Sequence, residues 1–393
     1  MHIAIVLMKY SPYGGNESQA SILAESLLKE GFRVTIFANS WTGARHPALG
    51  FKKVPVIKFA SWLKLVSFAL FSRYYLVREK DQFDIIIAFD RILLMDIYLA
   101  GNACHKEWMD FRRQNNGLRT RISLIINPLN IFINFIEKRI FNHIQKSQGY
   151  IIVLAQSAIK QIQKNYHVDD DRFVIIPPAI NLEKFNHRVV INYRQEERNR
   201  LGIDDNILML LHVGSGFEIK GLEATIRALS VLRKRQINAV LVIAGKISSK
   251  TSKFRKLAKA LDIERHVYFL GGVETIERLY GAADVFVLPT LFETYCISAI
   301  EALSCGLPVI IGKGAGVADI IKDEKAGNII DIPANPDELA DMIEETIAFE
   351  NKKRSTEEIR KRLDKRIGLA ARHDKNKIIQ DFSFLINRIT TMP

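Results

Sequence analysis

The stretch between residues 285 and 308 limits the possible folds more than any other part of the chain. Val285 to Leu288 is an unbroken apolar run, and Pro289 stops it. A buried strand ended by a residue without an amide donor fits this pattern. After a short loop the period changes: Ile297, Ile300 and Leu303 recur at helical spacing until Gly306 and Pro308 end the helix. The loop carries Glu293, and Glu301 falls in the helix's second turn. If the whole span between the two carboxylates were helical, their backbones would stand about 12 Å apart. Carboxylate pairs that hydrolyse a glycosidic bond stand roughly 5 to 9.5 Å apart. The spacing argues mildly against an acid and base acting on one bond. It fits better an extended ligand lying across a helix N-terminus, where free amides and the helix dipole attract phosphate.

The same alternation runs through the chain. Apolar runs at 3–7, 34–38, 85–89, 149–154 and 173–176 predict one series of strands, and runs at 207–213, 240–244, 267–272, 285–288 and 309–311 predict a second. Strands that alternate with amphipathic helices build parallel, doubly wound sheets, so two such domains are expected. The Pro177-Pro178 pair restricts the backbone after the first series and places a hinge between 177 and about 205.

Each series opens with a glycine loop. In the first, Lys9-Tyr10-Ser11-Pro12-Tyr13-Gly14-Gly15 precedes a helix with an apolar face at Leu23, Leu27 and Leu28, for which Asn16 and Gln19 read as a cap. In the second, Gly214-Ser215-Gly216-Phe217-Glu218-Ile219-Lys220-Gly221 follows the strand at 207–213. Both bring backbone close to an anionic ligand, although a glycine pair by itself is more often a tight turn. Gly312, Gly314 and Gly316 offer a further phosphate-sized loop, with neither a Walker nor a dinucleotide fingerprint in the chain.

Glu293 and Glu301, followed by Ala302-Leu303 and Gly306-Leu307-Pro308-Val309, resemble the donor-site signature of the family-four retaining glycosyltransferases. The Gly14-Gly15 loop, Ser40-Trp41-Thr42-Gly43 and Ala100-Gly101-Asn102-Ala103-Cys104-His105 are similar to the branch of that family that glucosylates the lipopolysaccharide core. The resemblance spans nearly the whole chain and implies an α/β GT-B fold, two Rossmann-like doubly wound domains facing a central cleft. It implies an acceptor-binding domain over 1–185, a nucleotide-sugar domain over 186–370 and a closing helix over 371–393 that packs back on the first domain.

By position, Glu301 would hold the ribose and Glu293 the transferred sugar, while Tyr295, Cys296 and Ile297 would open the helix that meets the diphosphate. Gly14, Gly15, Gly214 and Lys220 would also contact the diphosphate, and Gly272 and Val273 the base. Asn102 and His105 would face the reacting sugar and acceptor. Three positions depart from the pattern. Asn102 stands where relatives carry an ionisable Asp, Cys296 where they carry Gly, and Ile219 where an Arg often precedes the lysine. Charge-assisted bonds contribute roughly 1.5–3 kcal/mol each, so the missing Arg weakens donor binding unless another cation substitutes.

The resemblance implies a retaining hexosyltransferase that moves glucose from a UDP-sugar to a sugar of a lipid-anchored glycan such as the lipopolysaccharide core. The alternatives are a sister enzyme using GDP-mannose or UDP-GlcNAc, one that epimerises its substrate, and a non-catalytic nucleotide- or membrane-binding relative. No donor-loop DxD motif is present, so the transfer is expected to proceed without metal and with no cofactor beyond the sugar nucleotide.

Composition sets the remaining limits. The 393 residues carry a net charge of +13, which favours an anionic partner, yet no nucleic-acid recognition motif accompanies it. Cys104, Cys296 and Cys305 form no CxxC pair, as suits a reducing cytosol. No secretory signal and no uninterrupted apolar window of membrane-spanning length is read in the sequence. Residues 106–146 hold eight Lys or Arg against three acids among aromatic and aliphatic residues. Such a segment is expected to rest on an anionic bilayer, and the family resemblance places it at the inner face of the cytoplasmic membrane. The basic run at 352–366 reads as a solvated or partner-facing helix.

Overall fold

A computed structural model of the chain describes residues 1–12, 14–102, 104–114, 117–323, 325–351 and 356–391, with side chains at all of these except 120, 351, 356, 359 and 391. Tyr13 and Ala103 of the sequence motifs, and the first four residues of the 352–366 run, lie outside the described residues. The contacts divide the chain into two units, 1–179 with 375–393, and 180–374. These limits fall a few residues from the expected 185/186 and 370/371.

The first unit contains β1 (His2–Val6), β2 (Lys9–Tyr10), β3 (Arg33–Ala38), β4 (Ser40–Trp41), β5 (Leu49–Lys53), β6 (Ile85–Ala88), β7 (Ile97–Leu99), β8 (Tyr150–Val153) and β9 (Phe173–Ile175). Its helices are α1 (Gly15–Lys29), α2 (Ser61–Arg78), α3 (His105–Gln114), α4 (Leu118–Ile126), α5 (Pro128–Ser147) and α6 (Gln156–Asn165). The main sheet runs β5-β3-β1-β6-β7-β8-β9 and is parallel throughout; β2 and β4 form a separate parallel pair.

Successive residues of a strand point to opposite faces, which explains why β1 reads as a continuous apolar run rather than an alternation. Ile3 and Ile5 enter one core with Leu23 and Leu27 of α1, whereas Ala4 and Val6 enter the other with Phe68 of α2 and Ile140 of α5. The first of these cores also takes Ile378, Phe382, Leu385 and Ile386, four residues of the last helix of the chain.

The second unit holds β10 (Leu208–Val213), β11 (Ala239–Ala244), β12 (Val267–Gly271), β13 (Val285–Leu288), β14 (Val309–Gly312) and β15 (Asn328–Ile330), in the parallel order β12-β11-β10-β13-β14-β15. Its helices are α7 (His187–Val190), α8 (Arg194–Leu201), α9 (Leu222–Lys234), α10 (Ser252–Ala260), α11 (Ile276–Ala282), α12 (Ile297–Ser304), α13 (Ala318–Asp323), α14 (Pro336–Asn351) and α15 (Thr356–Ala371). The chain ends in α16 (Lys375–Thr391), which returns to the first unit.

The expected hinge between 177 and 205 is mostly structured. The Arg198 side chain of α8, 0% exposed, donates to the carbonyls of Ala282 (2.9 Å), Asp204 (2.7 Å) and Ile207 (2.5 Å) and pairs with Asp284. A buried guanidinium whose two Nη groups are bonded in this way fixes the segment to the second unit rather than leaving it a free linker.

Each sheet reverses its strand order once, between β1 and β6 in the first and between β10 and β13 in the second. At such a point the loops leaving two neighbouring strands splay to opposite faces and open a crevice at the carboxyl ends, where ligands of doubly wound sheets bind.

Candidate active site

In the second unit the crevice lies between the loop after β10 and the loop after β13. Close backbone packing sets its shape. A Cβ on Gly221, at φ +73°, would stand 2.2 Å from the Pro289 carbonyl oxygen, so only glycine lets the first loop pass the second. Leu291 N donates to Ile219 O at 2.8 Å and Thr290 Oγ1 to the same oxygen at 3.2 Å. The residue that lacks the expected Arg side chain thus ties the two loops through its backbone. The run from Gly312 to Gly316 has a comparable part: a Cβ on Gly312, Gly314 or Gly316 would strike the carbonyls of Thr290, Leu291 or Thr294. These glycines pack against the Glu293 loop from behind.

Held by these contacts, Lys220 Nζ forms an ion pair with Glu293 Oε1, both side chains about four-fifths buried. The other carboxylate oxygen, Glu293 Oε2, is buried and has no hydrogen-bond partner among the described residues. A buried acceptor without a donor is uncommon and costs free energy until something supplies one. Gly214, at φ +148°, lies against the aliphatic part of Lys220. Beneath them His212 is wholly buried at the end of β10; burial first, and the charge of Lys220 second, push its imidazole down to about 3. The imidazole is therefore neutral, and Lys220 carries the positive charge of this cluster.

The helix after the loop starts at Ile297, the first residue of its apolar stripe. Cys296 is its N-cap, 1% exposed and in the left-handed region at φ +89°. Ser298 Oγ donates to Val213 O at 3.4 Å, which brings the start of α12 to the end of β10. The amides of a first helical turn have no partner within the helix, so an anion-attracting end faces the Lys220 loop.

Glu301 sits one turn further on. Tyr280 Oη, from α11, donates to Glu301 Oε2 at 2.8 Å. Burial raises the Glu301 carboxyl to about 7, opposed by the Tyr280 hydrogen bond and by Lys184. Tyr295, 2% exposed, donates through Oη to His373 Nε2 at 2.5 Å, while His373 Nδ1 lies 3.3 Å from Leu369 O. Gly272 is exposed beyond the end of β12 and Val273 is half-buried beside it, at the same carboxyl edge of the sheet.

The first unit treats its polar residues differently. Gly14, at φ +106°, caps α1, and Gly15 begins it. Asn16 therefore lies inside the helix and is no cap, and the Gln19 side chain instead grips the backbone of Ala179, accepting from N at 2.7 Å and donating to O at 2.9 Å. A Cβ on Gly101 would meet Asn16 Oδ1 at 2.1 Å, so the loop after β7 lies against the start of α1 and brings the exposed Asn102 near Gly14 and Gly15. Trp41 stacks on Tyr10 at 4.1 Å and donates to Gly43 O.

His105 is 8% exposed, with Nε2 3.1 Å from Asn130 Oδ1 and its ring stacked on Trp108. Burial and Arg91 lower its ionisation, so the ring is held neutral. Behind it Glu137, 2% exposed, accepts from Arg91 Nε at 2.9 Å, from Tyr166 Oη at 3.1 Å and from the His105 amide at 3.2 Å. The sequence patterns identify none of Glu137, Arg91, Tyr166, Tyr280, His212 or His373. Glu137, Arg91, Tyr166, Tyr280 and His373 owe their roles to partners distant in the chain and His212 to burial at a strand end, and no local period marks any of them. Of the residues they do identify, Lys220, Glu293, Cys296, Ile297 and Glu301 come together in the second unit, and Gly14, Gly15 and Asn102 in the first.

Two parallel doubly wound sheets, one with a lysine, two glutamates and a helix start gathered at the crevice where its strand order reverses, are the architecture of a glycosyltransferase. The Glycosyltransferase Family 4 model matches residues 13–184 and the Glycosyl transferases group 1 model residues 193–365, one for each unit. The chain belongs to this glycosyltransferase family and has the GT-B fold. It is similar to lipopolysaccharide glucosyltransferase WaaG of Escherichia coli K12, 27% identical over 348 residues that cover 88% of this chain and 90% of that protein. A crystal structure of WaaG, a glycosyltransferase involved in lipopolysaccharide biosynthesis, matches 99% of this chain and 98% of that one with a TM-score of 0.77 at 25% identity. The Anabaena protein Alr3699/HepE, solved with UDP and glucose, shares the fold with a TM-score of 0.73 over 99% of this chain and all of that one, at 15% identity.

Proposed function

We propose that the chain transfers a hexose, glucose in the first instance, from a UDP-sugar to a sugar of a lipid-anchored glycan of the lipopolysaccharide-core type, with retention at the anomeric carbon. The observation that carries this reading is the unpartnered Glu293 oxygen beside Lys220 and the start of α12. A diphosphate needs the cation and the helix amides, and a sugar hydroxyl supplies the donor that Glu293 lacks. Glu301, one turn along the helix, then receives the ribose hydroxyls. The similarity to WaaG supports glucose and a lipopolysaccharide acceptor.

In the transfer, the bond from the anomeric carbon to the β-phosphate oxygen breaks and a bond to the acceptor oxygen forms on the same face. The departing phosphate oxygen takes the acceptor's proton. No side chain acts as nucleophile; Lys220 and the α12 amides stabilise the charge that develops on the diphosphate. Among the described residues no cluster of three or more His, Cys, Asp or Glu is placed to hold a metal ion. The reading has the diphosphate charge met by protein groups without metal and the sugar nucleotide as the sole small-molecule requirement.

The acceptor's lipid anchor places the enzyme at the inner face of the cytoplasmic membrane. Leu118, Ile122, Ile125 and Ile126 of α4 and Ile131 and Phe135 of α5 are all more than half exposed. Arg119, Arg121, Lys138 and Arg139 are exposed on the same two helices. Glu137, one of the three acids in this segment, is turned inward to Arg91, so the surface is more basic than the sequence count. Apolar side chains set among basic ones suit an anionic bilayer surface. No helix among the described residues is long and apolar enough to cross a membrane.

Calorimetry with UDP, UDP-glucose, UDP-GlcNAc and GDP-mannose, on the wild type and on Glu301→Ala, tests the donor. UDP and UDP-glucose binding that is lost in the variant is the expected result. Preference for GDP-mannose would move the assignment to another sugar nucleotide, and absence of all nucleotide binding would overturn it. Product anomer analysis by NMR and turnover in the presence of EDTA test retention and metal independence, and sedimentation with vesicles with and without phosphatidylglycerol tests the surface.

A further inference from the structure

Tyr280 is the only side chain that hydrogen-bonds Glu301 among the described residues. The phenol is 1% exposed and its ring is held edge-on to Phe185 at 5.8 Å and tilted to Phe286 at 6.2 Å. Its oxygen lies 2.8 Å from Glu301 Oε2 and 3.2 Å from Ser298 O, in the first turn of α12. A rigid ring thus sets one carboxylate oxygen of Glu301 and also touches the backbone of the helix start. Oε1 is left for a ligand.

We propose that Tyr280 is a positioning residue for nucleotide binding: it favours the charged form of the Glu301 carboxyl and turns it toward the two hydroxyls of a ribose. The proposal rests on the assignment of the ribose to Glu301. A carboxylate accepts from both hydroxyls of a cis-diol, whereas a protonated carboxyl must give up part of that acceptor capacity. Burial works against ionisation at this position, and a donor to the charged form works for it. The phenol is the right donor because burial, and next the Glu301 charge, raise its own ionisation well above the ordinary value, so it stays protonated.

The other ionisable groups around the pair are few. From α11 comes Glu277, paired with Lys184 at 3.1 Å. The Cys296 and Cys305 thiols stand at the two ends of α12, both pushed up by burial. At the far end His187 Nδ1 lies 3.0 Å from Cys305 O, and Arg366 of α15 donates to Gly306 O while paired with Glu350. Lys184 favours the charged form of Glu301 and Glu277 opposes it. These two are engaged with each other, which leaves Tyr280 as the group whose removal acts on Glu301 directly.

The test is the pH profile of UDP affinity, measured by calorimetry between about pH 6 and 9 on the wild type, Tyr280→Phe and Glu301→Gln, with thermal melts to establish folding. Tyr280→Phe keeps the ring and its packing. Affinity in the wild type is expected to rise with pH as Glu301 ionises near 7. In Tyr280→Phe the midpoint should move up by about one pH unit, the size of a single charge-assisted hydrogen bond, with about tenfold weaker binding at pH 7 and recovery toward wild type at the alkaline end. Glu301→Gln should bind weakly with a flat profile. If Glu301→Gln loses affinity but Tyr280→Phe overlays the wild type, the role of Tyr280 is overturned and the ribose assignment stands. If Glu301→Gln binds UDP as the wild type does, the assignment fails and the proposal with it.

Discussion

The two glycine loops begin alike and end differently. Each follows the strand at the point where its sheet reverses order, each turns through a glycine of positive φ, and each leads into a long helix. In the second unit the loop delivers charge: Lys220 meets Glu293, and a carboxylate oxygen is left without a donor. In the first unit the ion pair behind the loop faces inward. Glu137 is consumed by Arg91, Tyr166 and the His105 amide, and what stands beside Gly14 and Gly15 is the Glu17 carboxylate and the neutral Asn102, with no cation among the described residues set against an acid as in the second unit. One crevice therefore holds an acceptor without a donor beside a lysine and a helix start, and the other uses its ion pair to hold its own walls.

The largest effect should come from breaking that internal use. Glu137→Ala removes the carboxylate that pairs with the buried Arg91 guanidinium, and removing one partner of a buried pair costs about 3–5 kcal/mol. Thermal and urea denaturation should show the first unit melting early. A loss below about 1 kcal/mol would mean the Arg91–Glu137 cluster is not structural and would return it to the candidate site.

Lys220→Ala is the mirror case. Both side chains of the pair are about four-fifths buried, so removing the lysine leaves the Glu293 carboxylate unpartnered and should cost about 1–3 kcal/mol of stability. Transfer should fall by about 10²–10³-fold, the usual cost of deleting a group that stabilises transition-state charge. Steady-state assays with UDP-glucose check this. Turnover within tenfold of wild type would show that the α12 amides meet the diphosphate without Lys220.

The same contrast decides what could be read from the sequence. Period-2 and period-3.6 patterns are local, so ten of the strands, the glycine loops and the apolar stripe of α12 were legible, while β5, β7, β15 and the short pair β2 and β4 were not, and the closing helix came from the resemblance. Glu293 and Glu301 were found because loop and helix are consecutive in the chain. Glu137 and Arg91 are 46 residues apart and carry no period in common. The basic count over 106–146 took Glu137 as a surface acid, and only the packed structure turns it inward. Asn16 was misread because the local cap rule competed with a glycine of φ +106° two residues earlier. Helix α2 was not read at all: Leu70, Tyr74 and Val77 leave its apolar residues on the exposed side as well, which blurs the amphipathic period.

A titration sharpens the comparison further. Glu301 holds its proton up to about 7 when folded, against 4.5 for the free side chain, so between those values the folded state binds more protons than the unfolded one. Its contribution to stability is therefore present below about 4.5 and is lost as pH rises toward 7. Relative to Glu301→Gln, the wild type should lose up to about 3 kcal/mol across that window, less with solvent screening. Melting both proteins across the window tests this, and parallel curves would show that Glu301 ionises normally and carries no such strain.

The smallest effect concerns Cys296, and there the sign matters more than the size. A non-glycine residue in the left-handed region costs about 1–2 kcal/mol, and here it occupies the N-cap of the helix that faces Lys220. Cys296→Ala keeps that strain and loses the buried sulfur, whereas Cys296→Gly loses the sulfur and relieves the strain. Elsewhere in a chain glycine is about 0.5–1 kcal/mol less stable than alanine. At this position the order should invert, with the glycine variant melting at or above the alanine variant. An ordinary order would mean that the left-handed conformation is not held at Cys296. An inverted order with unchanged donor selectivity would assign the thiol to packing alone, and relaxed selectivity in both variants would make the side chain a wall of the sugar subsite.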